Sequence, residues 1–182
     1  MEGVWSMREY LLLLPIIFIF HDMEEIVGIG WFYSKNQWLF ERYPKILKSY
    51  KGVTHMGFSA AVYEEFIPFF GVSLLAYYFP GQVFFALWYG IFLALAGHFV
   101  IHIGQTVVVR KYVPCVATSL ICLPVSILIL VKSASFIEWN AFAIALVIAG
   151  ILLMLANFKT AHMVMHYVNK RMGTAAGQDS RT

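Results

Sequence analysis

Residues 10–32 read YLLLLPIIFIFHDMEEIVGIGWF. A run of this length is what a hydrocarbon core ~30 Å thick asks of a helix rising ~1.5 Å per residue. Yet its middle holds His21, Asp22, Glu24 and Glu25. A charged side chain at a bilayer centre costs at least ~2.5–3.5 kcal/mol on insertion scales, so such residues face a bundle interior and serve a function. On a helix His21 lies three residues before Glu24 and four before Glu25, which puts all three on one face. An imidazole and two carboxylates on one face, away from water, read as half of a metal site.

The composition sets the class. Of 182 residues, 60% are hydrophobic and only 13% charged, with mean hydropathy +0.73. Soluble chains are ~25% charged and ~45–50% apolar. The expectation is an all-α, polytopic membrane helical bundle. Residues 10–32 are too long, and too acidic at their centre, for a cleaved signal peptide. No basic patch points to nucleic acid, and the aromatic excess fits membrane packing and interface belts. Cys115 and Cys122 lie seven residues apart, ~10 Å along a helix and beyond disulfide reach, and read as small packing residues.

About five transmembrane helices are expected: Tyr10 to Phe32, Val53 to Phe79, Gln82 to Val108, Val113 to Val131, and a fifth from Ala141. Between the first two, Tyr33 to Gly52 mixes Lys35, Arg42, Lys45, Lys48 and Lys51 with Trp38, Leu39 and Ile46, as an interfacial amphipathic segment would. Pro80-Gly81 predicts a tight turn. The chain reads as one membrane-embedded domain over 1–172, followed by a disordered cytoplasmic tail over 173–182. With five spans, eleven of the thirteen Lys and Arg fall on one side, leaving only Arg8 and Lys132 on the other. That asymmetry predicts a multi-pass protein of the inner (plasma) membrane with its N-terminus outside and its C-terminus cytoplasmic.

Depth then selects the site. Counted from the basic end at ~1.5 Å per residue, Glu25, Glu65, His98, His102, His21 and His162 all lie ~9–18 Å into the membrane. The spacing of four recurs in His21/Glu25, His98/His102 and His162/His166. Two ligands from one helix can then serve one metal or two adjacent ones, as in di-metal helical bundles. The candidate ligands are His21, Glu24, Glu25, Glu65, His98, His102, His162 and His166, with Glu24 or Glu25 as catalytic base. Each has a blander alternative. His98/His102 would also suit a polar helix end, and His162/His166 a headgroup contact. Glu64 and Glu65 face ~100° apart, so at most one of them points squarely at the site, and Glu65 is favoured. His55 reads as a surface histidine. The fourth span offers no ligand and braces the bundle.

The His21-Asp22-Met23-Glu24-Glu25 stretch and the later His98-x3-His102 make the chain resemble the HXXEE family of small bacterial integral-membrane proteins. The resemblance extends to chain length and to the place of the motif in the first span. That family is also described with an Asn-x3-Glu motif, which this chain lacks; Glu65 would take that role with Ala61 in place of the Asn. The resemblance implies a shared metal-site-like constellation and no particular substrate.

Three functions follow as expectations. An intramembrane metalloenzyme, using a divalent iron, zinc or manganese and conceivably a two-metal centre, would oxidise or hydrolyse a lipid-like or membrane-dissolved molecule. No thiolate is expected to help, and neither the His-rich boxes of desaturases nor a His-Glu-x-x-His helix is present. A metal-ion or proton transporter would use the same acids and histidines as a relay, with a homo-oligomer supplying the missing internal repeat. An accessory subunit would pair its polar residues with one another.

Overall fold

The structure is a computed structural model that describes residues 6–179; of Ser49 and residues 172–179 it describes the backbone alone. Among the described residues there are helices, turns and loops and no strand. A short α1 (Arg8–Leu11) leads into α2 (Leu13–Lys35), and α3 (Trp38–Arg42) follows as a brief turn of helix. The long helices are α4 (His55–Tyr78), α5 (Gln82–Val109), α6 (Val116–Ser133) and α7 (Ala141–Asp179). The all-α bundle read from the sequence is the observed class.

By length and apolar composition α4, α5, α6 and α7 can cross a membrane. The expected first span, α2, has 23 residues but carries Asp22, Glu24 and Glu25 in its middle, which sets it apart from those four. Its course is nonetheless the same. Near its start the Trp88 indole donates 2.9 Å to the Leu11 carbonyl, and past its end Lys111 Nζ donates 2.9 Å to Asn36 Oδ1. So α2 runs parallel to α5, from one end of the bundle to the other.

The two ends are tied by polar side chains at the helix termini. At the basic end the Thr54 hydroxyl caps α4 by accepting from Gly57 N at 3.0 Å and donates 2.6 Å to Asn169 on α7. At the opposite end Gln82 Nε2 donates 3.2 Å to the Phe136 carbonyl. The Tyr33–Gly52 segment is not one amphipathic helix. It breaks into α3 and a 3-10 turn at Lys48–Tyr50, with Leu39 buried on Phe32 and Val113.

Helix α5 is the axis, packing on α4, α6 and α7, and it buries Trp88, Phe92, Leu95 and Phe99 completely or nearly so. Its approach to α7 depends on missing side chains. A Cβ on Gly90 would strike the Val147 carbonyl, and one on Gly150 the Leu87 carbonyl. Where lipid supplies little hydrophobic drive between helices, such close backbone contact is what holds them together. Outward faces carry exposed Ile67, Val107, Val131 and Leu155, a surface suited to hydrocarbon rather than water. The backbone of α7 stays helical through Asp179, and residues 180–182 of the expected tail lie outside the described residues.

Candidate functional site

The polar middle of α2 meets α5 and the start of α6. His21 is fully buried, Asp22 is 4% exposed and His102 5% exposed, and polar groups so enclosed need partners. Their spacing does the gathering. His98 and His102, one turn apart on α5, stand with their Nε2 atoms 2.9 Å apart. The His21 ring packs against both, its centroid 5.5 Å from that of His98 and 5.1 Å from that of His102. Glu25 completes one group: donor atoms of Glu25, His98 and His102 all lie within 4.8 Å of one another. The sequence-predicted His21, Glu25, His98 and His102 are thus brought together.

Glu24 is not in that group. Its carboxylate accepts from Thr118 N and from the Thr118 hydroxyl at 2.7 Å each, from Ala117 N at 3.4 Å, and from the Tyr112 hydroxyl. A carboxylate on the first free N–H groups of a helix is a capping arrangement, favoured by the helix dipole. Tyr112, in the loop before α6, is pushed up to about 12 by burial and by that contact with Glu24, so its proton stays in the bond. Glu24, read from spacing as ligand or base, serves here to fix α6 against α2.

This cap also sets the His21 tautomer. The Thr118 hydroxyl has one proton, and its 2.7 Å bond to the acceptor carboxylate takes it. The 3.1 Å contact from His21 Nδ1 to the same oxygen must then be donated by the ring. Nε2 is left with a lone pair, buried and without a hydrogen-bond partner. A carboxylate acting through an intermediate to orient an imidazole is the usual outer arrangement of a histidine ligand.

The cluster closes one side of a cavity of about 530 Å³, within the ~300–1,000 Å³ of small-molecule sites. Asp22, Glu25, Glu65, His98, His102 and Gln105 give it a polar wall, while Phe18, Phe58, Phe69, Leu95 and Met154 make the rest apolar. Tyr50 lines it from the 3-10 turn; burial, then the Glu25 carboxylate, hold its hydroxyl well above its ordinary range, so it stays a donor. Among the described residues, the charges that bear on Asp22, Glu25 and Glu65 are those of carboxylates, with no lysine or arginine among them.

The remaining sequence-predicted residues divide. Glu65 lines the cavity, whereas Glu64 accepts 2.9 Å from Asn157 on α7. His162 lines the cavity with Nδ1 2.8 Å from the Phe158 carbonyl, while His166 is exposed and outside the wall. His55 turns Nδ1 to the Ile26 carbonyl at 3.1 Å.

Two residues escaped the sequence reading. Asp22 is three residues before Glu25, a spacing that shares a face and was legible. Cys115 is fully buried, free, and donates weakly from Sγ to Glu25 Oε2 at 3.7 Å. A thiol does stand beside the imidazoles, and the α6 end of the fourth span is part of the site rather than a brace.

Fold and site together define an all-helical protein of membrane-spanning length with a buried His/carboxylate cluster opening on an apolar cavity. Residues 12–129 match the family described as "Protein of unknown function with HXXEE motif", and the chain belongs to that family. The matched stretch runs from α2 into α6 and so contains His21, Glu25, His98, His102 and Cys115. No curated protein and no solved structure matches the chain.

Proposed function

We propose that this chain is an integral membrane metalloprotein that binds a divalent ion through Glu25, His98 and His102 and acts on a hydrophobic, lipid-like molecule held in the adjoining cavity. The observation that carries the reading is the convergence of those three donor sets within 4.8 Å at the cavity wall. The electrostatics support it: buried charges persist when paired or when they coordinate a metal, and no lysine or arginine bears on Asp22, Glu25 or Glu65. Carboxylate with imidazole suits iron, zinc or manganese.

The chain's own residues divide the remaining work. The aromatic and aliphatic wall holds the apolar part of the molecule and excludes water. Tyr50 donates a hydrogen bond to its polar end, and Glu65, on the same wall, is placed to take or return a proton. A bound ion would supply Lewis acidity beside that polar end. The segregation of basic residues at the Asn36/Lys111 end supports a cytoplasmic placement of that end, with the N-terminus outside the plasma membrane.

A second reading, passage of protons or cations, draws on the same Asp22, Glu25 and Glu65 wall. Elemental analysis of detergent-purified protein separates the two. Wild type is expected to retain a transition metal that Glu25→Ala loses and Glu64→Ala keeps. Equal, background metal in all three folded proteins would reject the metal reading and leave the relay.

A further inference from the structure

Behind the cavity wall lies a second group of donors. Atoms from His21, His102 and Cys115 fall within 4.8 Å of one another, and all three residues are buried. His102 is the hinge between this group and the cavity-facing one, since it belongs to both and has two ring nitrogens. Its Nε2 faces His98 Nε2 at 2.9 Å, and its Nδ1 is buried with no hydrogen-bond partner. His21 Nε2 is likewise orphaned, with its lone pair set free by the Glu24–Thr118 relay. An orphaned buried nitrogen is costly, and here two of them belong to residues grouped with a thiol.

The thiol is delivered by an uncommon backbone. Cys115 precedes α6 with φ of 76°, a left-handed conformation that a residue with a Cβ seldom adopts. It places Sγ 3.5 Å from the His21 carbonyl and 3.7 Å from Glu25 Oε2, where the weak S–H donor is shared between two acceptors. Neither His21 nor Cys115 lines the cavity, whereas His102 does. The two donor groups share His102 and meet where Cys115 Sγ approaches Glu25, and only the first group is open to the cavity.

We infer that His21, His102 and Cys115 form a second, enclosed metal position that takes a borderline-soft divalent ion such as zinc through one thiolate and two imidazoles. The inference rests on reading the neighbouring cluster as a metal centre and adds to it a distinct ligand set. Thiolate selects against manganese and magnesium, while imidazole suits zinc, iron and nickel. A position closed off from the cavity would hold its ion for structure and would brace His102 toward the other one.

Cobalt(II) serves as the probe, because thiolate ligation adds an intense near-ultraviolet charge-transfer band that imidazole and carboxylate do not give. Metal-stripped full-length protein in detergent is loaded with cobalt and its spectrum recorded. Wild type and Cys122→Ser are expected to show the band, and Cys115→Ser to lose it while keeping cobalt that depends on Glu25. Should Cys115→Ser fail to fold, the Cys122→Ser protein decides alone, since Cys115 is then its single thiol. Cobalt bound without the band in wild type or in Cys122→Ser would overturn the second position and leave the Glu25–His98–His102 site standing. A band that survives Cys115→Ser would overturn it too. No cobalt at all would remove both.

Discussion

The Nε2 atoms of His98 and His102 face each other at 2.9 Å across one turn of α5. Two neutral imidazoles can share that distance only if one donates and the other accepts. A single cation between them and Glu25 would satisfy both nitrogens at once as lone-pair donors. The i, i+4 spacing is therefore used to aim two rings at one point, and that point opens on the cavity.

The histidines should separate cleanly by position. His98→Ala is expected to strip the bound metal, and His166→Ala, on an exposed site outside the wall, to leave it unchanged. Metal-to-protein ratios on size-exclusion peaks check this. Equal loss in both would move the site toward the end of α7.

Glu24 is expected to act on stability first. Glu24→Ala removes the acceptor for Thr118 N, the Thr118 hydroxyl and Ala117 N at the start of α6. Lost helix caps cost ~0.5–2 kcal/mol, and thermal unfolding in detergent should show a midpoint lowered by a few degrees. An unchanged midpoint would mean that α6 is anchored elsewhere.

The cavity can be filled without disturbing the cluster. Gly97 lines it, and a Cβ there would meet nothing within 4 Å. Gly97→Phe is expected to fold, to keep its metal, and to lose most of the lipid-like material that native mass spectrometry detects on wild type. Undiminished binding would place the hydrophobic ligand outside this cavity.

Several of these relationships were legible before any fold was known, because they follow from helical spacing within one segment. His21 with Glu25 and His98 with His102 are one-turn pairs, and the cost of burying such groups singled them out as candidates. Glu65 over Glu64 was a choice of face, and the structure sets Glu65 on the cavity wall and Glu64 against Asn157. The misreadings came from contacts between distant segments. Glu24 shares the spacing of a ligand, yet α6, more than ninety residues on, offers it N–H groups instead. Cys115 was judged against Cys122, the wrong comparison, when its neighbours are on α2 and α5. Five spans were read where four helices are long and apolar enough to cross a membrane, because α2 carries acids in its middle. Asp22 and Glu25 are buried, and Glu24 is spent on α6.

X-ray absorption at the metal edge of as-purified wild-type protein tests the central claim most directly. The account predicts nitrogen and oxygen in the first shell, joined by sulfur where the Cys115 position holds the same element, with the outer-shell pattern of imidazole rings diminished in His102→Ala. A metal-free protein, or a first shell of oxygen alone without imidazole scattering, would contradict it.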